Sequence, residues 1–250
     1  MREILQNCIP YDVGEGSKLP GIAPFDMSEW LVADDVFSQQ MMERGWLLDN
    51  LGDEVVALTP PGTDAASELL LFVMNWLHKF GRGYQFTVDG VVRPDGHVVT
   101  IDEKKPLRSL AHLVQEDFCI LQKCKDEHVL VGAVLCFPAS WRLKEKIGRP
   151  LIGIHQPVDE YDDKLARRVQ RLFDGVQVGR PMWRFNLLRY QEAVLYQPRP
   201  ALEPRQTESD EPFPYTRSER QCILRLPETE AVIFSIHTHV VKRGNEAAIR

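Results

Sequence analysis

Two long strand-like segments, Arg217-Ser-Glu-Arg-Gln-Cys-Ile-Leu-Arg-Leu226 and Ala231-Val-Ile-Phe-Ser-Ile-His-Thr-His-Val-Val241, flank the short turn Pro227-Glu-Thr-Glu230. The second run is rich in β-branched residues, and two strand-like runs on both sides of a short turn predict two antiparallel strands. Upstream, Phe118–Gln122 and Val129–Phe137 repeat this arrangement around a charged turn. Neighbouring strands with short connections favour an antiparallel sheet and an α+β fold.

Helices are predicted before and between these strands. Asp26 and Glu29 have the spacing of a capping box, which predicts a helix from Asp26 to about Leu48. A second helix is expected from about Asp64 to Phe80, and it is apolar nearly all round, as in a buried helix. The segment Leu107–Val114 is expected to form a helical turn or two, and helices are expected at Trp141–Ile147 and Asp163–Phe173.

The domain organisation follows from the N-terminal composition. Residues 1–25 include a Gly- and Pro-rich stretch and are expected to form an extended arm. Nothing marks a boundary after that point, so residues 26–250 are expected to form a single domain, with the N-terminal helices packed on the sheet.

Charge and composition restrict the functional classes. The formal net charge of −6 argues against a nucleic-acid partner, because nucleic-acid-binding proteins usually carry a basic face. No apolar run reaches the roughly 18 residues of a transmembrane helix, and the first residues lack a secretory pattern. Five cysteines without paired close spacing indicate a reducing compartment. A cytoplasmic protein without a membrane partner is therefore expected.

His155 is the first candidate for a functional residue. It ends the apolar run Leu151-Ile-Gly-Ile154 and is followed two residues later by Pro157. An imidazole in an apolar surround on a restricted backbone has the properties of an axial haem ligand. A hydrogen-bonded core histidine has the same local context. Tyr161, six residues further on, is interpreted either as a member of the same pocket or as a packing residue.

Arginines on two predicted strands are the second candidate group. Arg184 lies on the strand Met182–Arg189, and Arg217 and Glu219 share one face of a later strand while Arg220 lies on the other face. Buried arginines need anionic partners, such as a haem propionate or Glu219. A solvent-facing salt bridge on an edge strand is an equal alternative.

The histidines outside this region are interpreted more simply. His237 and His239 lie on one face of the last strand, either as part of a metal site or on a solvated strand face. No carboxylate or cysteine stands at a diagnostic spacing to complete a metal site, so the solvated face is favoured. The polar contexts of four further histidines predict surface positions: His78, His97, His112 and His128.

Several separated motifs together resemble the haem-dependent oxidative N-demethylase family, alpha-subunit type. The resemblance spans about residues 24 to 241, and the motifs occur in the family's order. They are Cys136-Phe-Pro-Ala-Ser-Trp141 with Lys144–Gly148, Ile154-His155-Gln-Pro-Val158 with Tyr161, Gly179-Arg-Pro-Met-Trp-Arg184-Phe-Asn186, and Arg217-Ser-Glu219-Arg220-Gln221 with Leu226-Pro227.

The resemblance implies a PAS-like antiparallel sheet with packed helices and haem b in an apolar pocket. It implies that His155 is the axial iron ligand and that Arg217 and Arg220 bind the cofactor. Glu219, Tyr161 and Arg184 are then expected to act in catalysis. The implied reaction is oxidative N-demethylation of a small secondary amine, similar to dimethylamine, by dioxygen, giving a primary amine and formaldehyde. A redox partner subunit or reductase is also expected.

Two alternatives share the same sequence features. A PAS-type sensor would bind haem or another ligand in this pocket without turnover. A structural homologue would keep the fold, lose the cofactor and pack His155 as a core histidine.

Overall fold

The computed structural model describes residues 3–13, 21–155, 163–200, 203 and 212–246. Its strands form a seven-stranded sheet of order β1-β8-β9-β10-β6-β7-β2 and a small sheet of order β3-β4-β5, and all pairs are antiparallel. The strands are β1 (Ala23–Pro24), β2 (Val56–Leu58), β3 (Gln85–Thr87), β4 (Gly90–Val92), β5 (Val98–Val99), β6 (Asp117–Cys124), β7 (Glu127–Val134), β8 (Met182–Tyr190), β9 (Tyr215–Arg225) and β10 (Val232–Lys242).

The described helices fall into an N-terminal group and an inserted group. The α-helices are α1 (Phe37–Asn50), α2 (Gly52–Val55), α3 (Thr63–Phe80), α4 (Pro106–Leu113), α5 (Leu143–Lys146), α6 (Leu151–His155) and α7 (Asp163–Gly175). Short 3-10 turns lie at Met27–Glu29 and Pro60–Gly62. Mixed helices and antiparallel sheets confirm the α+β class. No helix in this described part of the chain is long and apolar enough to span a bilayer.

The large sheet separates two apolar clusters. On one face, which we call the N-terminal face, Leu47 of α1, Leu69 of α3 and Leu110 of α4 pack with Phe118 and Ile233 of the sheet. On the other, the inserted face, the sheet packs against α5, α6 and α7 through a second cluster. Burial of these two apolar surfaces fixes a helix–sheet–helix arrangement.

The inserted-face cluster carries the helices that follow the Cys136–Trp141 motif. Leu143 of α5, Leu151 of α6 and Phe173 of α7 pack with sheet residues that include Leu121 and Ile223. Because side chains alternate along a strand, this cluster uses the residues between those of the N-terminal face. Helix α6 contacts β7, so residues 151–155 lie on the inserted face beside that strand.

The helix predicted from Asp26 to Leu48 is wrong in its first half, while its second half corresponds to α1. Asp26 caps only the 3-10 turn, accepting a 2.8 Å hydrogen bond from the Ser28 backbone N–H, and α1 begins at Phe37. Between these elements the backbone N–H of Val32 donates to Glu116 and that of Asp34 donates to Gln115. Distant side chains therefore replace the hydrogen bonds that a continuous helix would make.

Other expectations match more closely. The helices predicted at 64–80, 107–114 and 163–173 correspond to α3, α4 and α7, and the two strands around Pro227–Glu230 are β9 and β10. The helix predicted at Trp141–Ile147 is shorter and begins at Leu143. Strands β1, β2 and β4, of two or three residues each, were not predicted.

The N-terminal residues lie against the sheet where they are described. Ile9 is buried, and the Gln6 backbone N–H donates to Val240 of β10. Ala23 pairs with Trp183 as an edge strand. Between β8 and β9, residues 201–202 and 204–211 lie outside the described residues.

Candidate functional site

Five polar side chains form a row across β8 and β9 on the inserted face. In the antiparallel register Arg184 lies opposite Gln221, Asn186 opposite Glu219, and Leu188 opposite Arg217. Directly paired residues, and residues two apart on a strand, point to the same face. We call this row the Glu219 cluster; it contains Arg184, Asn186, Arg217, Glu219 and Gln221.

Glu219 is the centre of this cluster and is only 6% exposed. Its Oε2 accepts hydrogen bonds from Asn186 Nδ2 at 2.8 Å and Gln221 Nε2 at 3.1 Å. Its Oε1 has one long contact among the described residues, 3.5 Å to Arg217 Nη2. One carboxylate oxygen is therefore held in place, while the other keeps acceptor capacity.

Arg217 joins the cluster to the Cys136–Trp141 motif. It is 1% exposed, and its guanidinium donates to the carbonyl oxygens of Leu195 at 2.9 Å and Phe137 at 2.5 Å. Its Nε is buried and has no hydrogen-bond partner within the described ranges. A buried guanidinium with an unused donor favours an anionic group nearby.

Arg184 has the same unused donor at the neighbouring strand. Its side chain is half-buried, and its Nε is buried without a partner in the described part of the chain. Because it lies opposite Gln221, Arg184 faces the same side as Glu219. The Glu219 cluster thus contains two arginines and one carboxylate.

Arg220 is not brought into this cluster. It donates to the carbonyl oxygens of Trp30 and Glu29, both at 2.8 Å, on the N-terminal face. Its guanidinium lies 5.2 Å from the ring centroid of Phe25 and 5.5 Å from that of Trp183. Arg220 therefore holds the segment before α1 on the sheet, on the side opposite Glu219.

The region of His155 lies on the same side as the Glu219 cluster. His155 is the last residue of α6, and Ile154 before it packs into the apolar cluster that contains Ile223 of β9. The description of His155 covers its backbone only. Tyr161 lies outside the described residues.

His237 and His239 contradict the prediction of a solvated strand face. Both are 1% exposed and point to the N-terminal face. His237 Nδ1 lies 3.1 Å from Glu116 Oε1, and its Nε2 lies 3.2 Å from Asp34 Oδ2. The strand was interpreted as exposed because no carboxylate stands at a diagnostic spacing to these histidines, whereas Asp34 reaches His237 from 203 residues earlier.

The pKa values of these two imidazoles are shifted in opposite directions. Burial alone would lower the pKa of His237, but hydrogen bonds to Asp34 and Glu116 outweigh it and raise the pKa to about 9. Burial, together with the charge of His237, lowers the pKa of His239 to about 3. His237 is therefore protonated and His239 is neutral near pH 7.

The four histidines predicted to lie on the surface differ in exposure. His78 and His97 are exposed, as predicted, and His112 is half-buried. The prediction for His128 is wrong, because it is 1% exposed beneath α7, with Nδ1 2.8 Å from Gln170. Burial lowers the pKa of His128.

A surface cleft of about 420 Å³ lies beside the Cys136–Trp141 motif. Pro138, Trp141 and Tyr196 are among the residues that line it. Its described lining contains neither Arg184 nor Glu219, so this cleft is separate from the Glu219 cluster.

Some members of the clusters had not been singled out from the sequence. Asn186 and Gln221 had not been assigned roles, although strand alternation places them beside Arg184 and Glu219. Asp34 lies 203 residues from His237, and no spacing rule connects them.

Fold and site together define an α+β protein whose central sheet carries an arginine–carboxylate cluster on one face and a histidine–carboxylate cluster on the other. Residues 21–243 match the family described as haem-dependent oxidative N-demethylase, alpha subunit-like. The match covers most of the chain, so the protein belongs to this family, and the resemblance predicted from the motifs is confirmed. The family name indicates a haem cofactor, an oxidative N-demethylase-like function and a partner subunit. None of the curated proteins compared matches the chain.

Proposed function

We propose that this protein is a haem b oxidoreductase that removes a methyl group from a small secondary amine such as dimethylamine. Dioxygen is the oxidant, and the products are a primary amine and formaldehyde. The observation that carries the proposal is the position of the Glu219 cluster on the sheet face that also packs α6, whose last residue is His155.

A PAS-like fold is part of the proposal, and the strand order supports it. The hairpin β6–β7 leads into the inserted helices, and β8, β9 and β10 then follow as consecutive antiparallel strands. The last strand, β10, pairs with β6, the first strand of that hairpin. This leaves five central strands with helices over an apolar face, as expected for a ligand pocket.

The residues present fit a haem. The unused Nε donors of Arg184 and Arg217 suit anionic propionates, and Ile223 and Ile154 contribute an apolar surface. In the proposal His155 would bind the haem iron, and Arg217 would hold a propionate. Arg220 acts only indirectly, since its guanidinium is already bonded to two carbonyl oxygens on the opposite face.

The amine is assigned to Glu219. A secondary amine is cationic at neutral pH, and Glu219 Oε1 has acceptor capacity for its N–H group. The bonds from Asn186 and Gln221 to Oε2 fix the orientation of the carboxylate. Loss of the N–H proton to Glu219 Oε1 gives the neutral amine, whose N-methyl group is easier to oxidise.

The remaining groups have defined parts in the proposal. Bound haem supplies the dioxygen chemistry that oxidises the methyl group. Arg184 lies beside Glu219 and is assigned to orienting the substrate, and Tyr161 is the second candidate to accept its proton. Electrons enter from a redox partner subunit or reductase, in agreement with the family name.

Formaldehyde release by the haem-loaded protein with its reductant tests the proposal. Glu219→Gln is expected to lower kcat/KM for dimethylamine by about 10²- to 10⁴-fold, the range expected for loss of a proton acceptor. Glu68→Gln is the matched control. Glu68 accepts hydrogen bonds from the backbone N–H groups of Glu228 and Thr229, away from the Glu219 cluster. Haem binding without formaldehyde from any methylamine would contradict turnover and favour the sensor alternative.

A further inference from the structure

The N-terminal face holds a buried imidazole that the proposed reaction does not use. Both ring nitrogens of His239 are buried and have no hydrogen-bond partner within the described ranges. An imidazole without a hydrogen bond in the interior costs free energy, because it has lost its bonds to water. A buried donor and acceptor without partners among the described residues favour a bound ligand.

Two further ligand groups stand beside it. One ligand atom from each of Asp34, His237 and His239 lies within 4.8 Å of the others. His237 Nε2 and Asp34 Oδ2 are 3.2 Å apart. Two ligands bound about 2.0 Å from a tetrahedral ion lie about 3.3 Å apart, so this pair already has the separation that such an ion requires.

The groups around these ligands have the arrangement of an outer shell. Glu116 Oε1 lies 3.1 Å from His237 Nδ1, on the side of the ring away from Asp34. Carboxylates in this position orient metal-binding imidazoles through the nitrogen that does not bind the ion. Glu116 Oε2 is also buried without a partner among the described atoms. Gln6 Nε2 donates to Asp34 Oδ2 at 2.8 Å and supports the other ligand.

We propose that Asp34, His237 and His239 bind a divalent transition-metal ion of the zinc type on the sheet face opposite the Glu219 cluster. Two imidazoles and one carboxylate are ligands that zinc accepts, and a water molecule completes a four-coordinate site. The ion has a structural role, because it ties the segment before α1 to the last strand, β10. This proposal is independent of the proposed demethylase function.

The first test is zinc binding by the full chain without haem. The background is Cys124→Ser, because Cys124 is an exposed thiol that would bind zinc by itself. Isothermal titration with zinc chloride is expected to show one equivalent bound and a raised Tm. The His239→Gln variant is expected to bind more than about 10-fold more weakly, since it loses a ligand without breaking a hydrogen bond seen in this structure.

His128→Gln is the matched control, since His128 is equally buried but stands beneath α7, away from Asp34. This variant is expected to bind zinc as the parent does. Equal zinc affinity in the parent, His239→Gln and His128→Gln, or no binding to the parent, would overturn the proposal.

A second measurement does not depend on a variant that folds. X-ray absorption of the zinc-loaded parent is expected to show two imidazole nitrogens at about 2.0–2.1 Å and oxygen ligands at about 2.0–2.2 Å, without sulfur. A shell that contains sulfur, or one without imidazole, would overturn the proposal.

Discussion

Asn186 and Glu219 face each other across β8 and β9 and exchange two hydrogen bonds. Asn186 Nδ2 donates to Glu219 Oε2 at 2.8 Å, and the Glu219 backbone N–H donates to Asn186 Oδ1 at 2.9 Å. The amide therefore fixes both the strand and the carboxylate. This leaves Oε1 as the oxygen with capacity for another donor.

Replacing Asn186 by alanine is expected to weaken catalysis more than folding. A hydrogen bond to a charged group contributes about 1.5–3 kcal/mol, so Asn186→Ala should lower kcat/KM for the amine by about 10- to 100-fold. The reason is that Glu219 loses one of the two side chains that orient it. Steady-state formaldehyde release measures this effect. Unchanged kcat/KM in the folded variant would mean that Asn186 does not position Glu219 for the reaction.

Replacing Arg44 is expected to lower the stability of the protein strongly. It is fully buried, and its Nη1 lies 2.7 Å from Asp117 Oδ1. Breaking a buried ion pair by removing one partner costs about 3–5 kcal/mol, so Arg44→Leu should lower the free energy of unfolding by that amount in urea. Arg108→Leu is the control: its partner Asp49 is 69% exposed, so the change should stay below about 1 kcal/mol. Equal effects of the two substitutions would contradict this prediction.

The lowered pKa of Glu246 is expected to make the stability of the protein depend on pH. Burial alone would raise its pKa, but hydrogen bonds from Thr216, Arg189 and the Gly244 backbone N–H lower it to about 2, from the ordinary 4.5. A folded-state pKa below the unfolded value stabilises the protein above about pH 4.5, and this contribution is lost as the pH falls toward 2. Because the site is partly solvated, we expect about 1–2 kcal/mol.

The measurement is urea unfolding of Glu246→Gln and the parent as a function of pH. The difference in free energy of unfolding should be full at pH 7 and should narrow as the pH falls from about 4.5 to about 2. Glu103→Gln, at an exposed position after β5, is the control. A difference that stays constant down to pH 2 would contradict the assigned role of Glu246.

The sheet was accessible from the sequence because its signals are local. Alternation and short turns identified β6, β7, β9 and β10, and the periodicity of 163–173 identified α7. The helix expected from Asp26 failed for the opposite reason. Its capping residues are local, but the N–H groups of Val32 and Asp34 bond to side chains more than 80 residues away.

The same difference between local and distant contacts applies to the Glu219 cluster and to the histidines of β10. Alternation on β9 placed Arg217 and Glu219 on one face and Arg220 on the other, as the structure has them. The burial of His237 depends on Asp34, which arrives from a segment 203 residues earlier. A contact of that range is a property of the folded chain, and no local pattern encodes it.

The proposed demethylation requires that this chain bind haem through His155. The most direct measurement is the visible absorption spectrum of the purified protein after haem loading and gel filtration. We expect a Soret band in the parent and in His78→Ala, whose histidine is exposed, and a shifted or weakened band in His155→Ala. No Soret band in the parent, or an identical band in His155→Ala, would contradict the account.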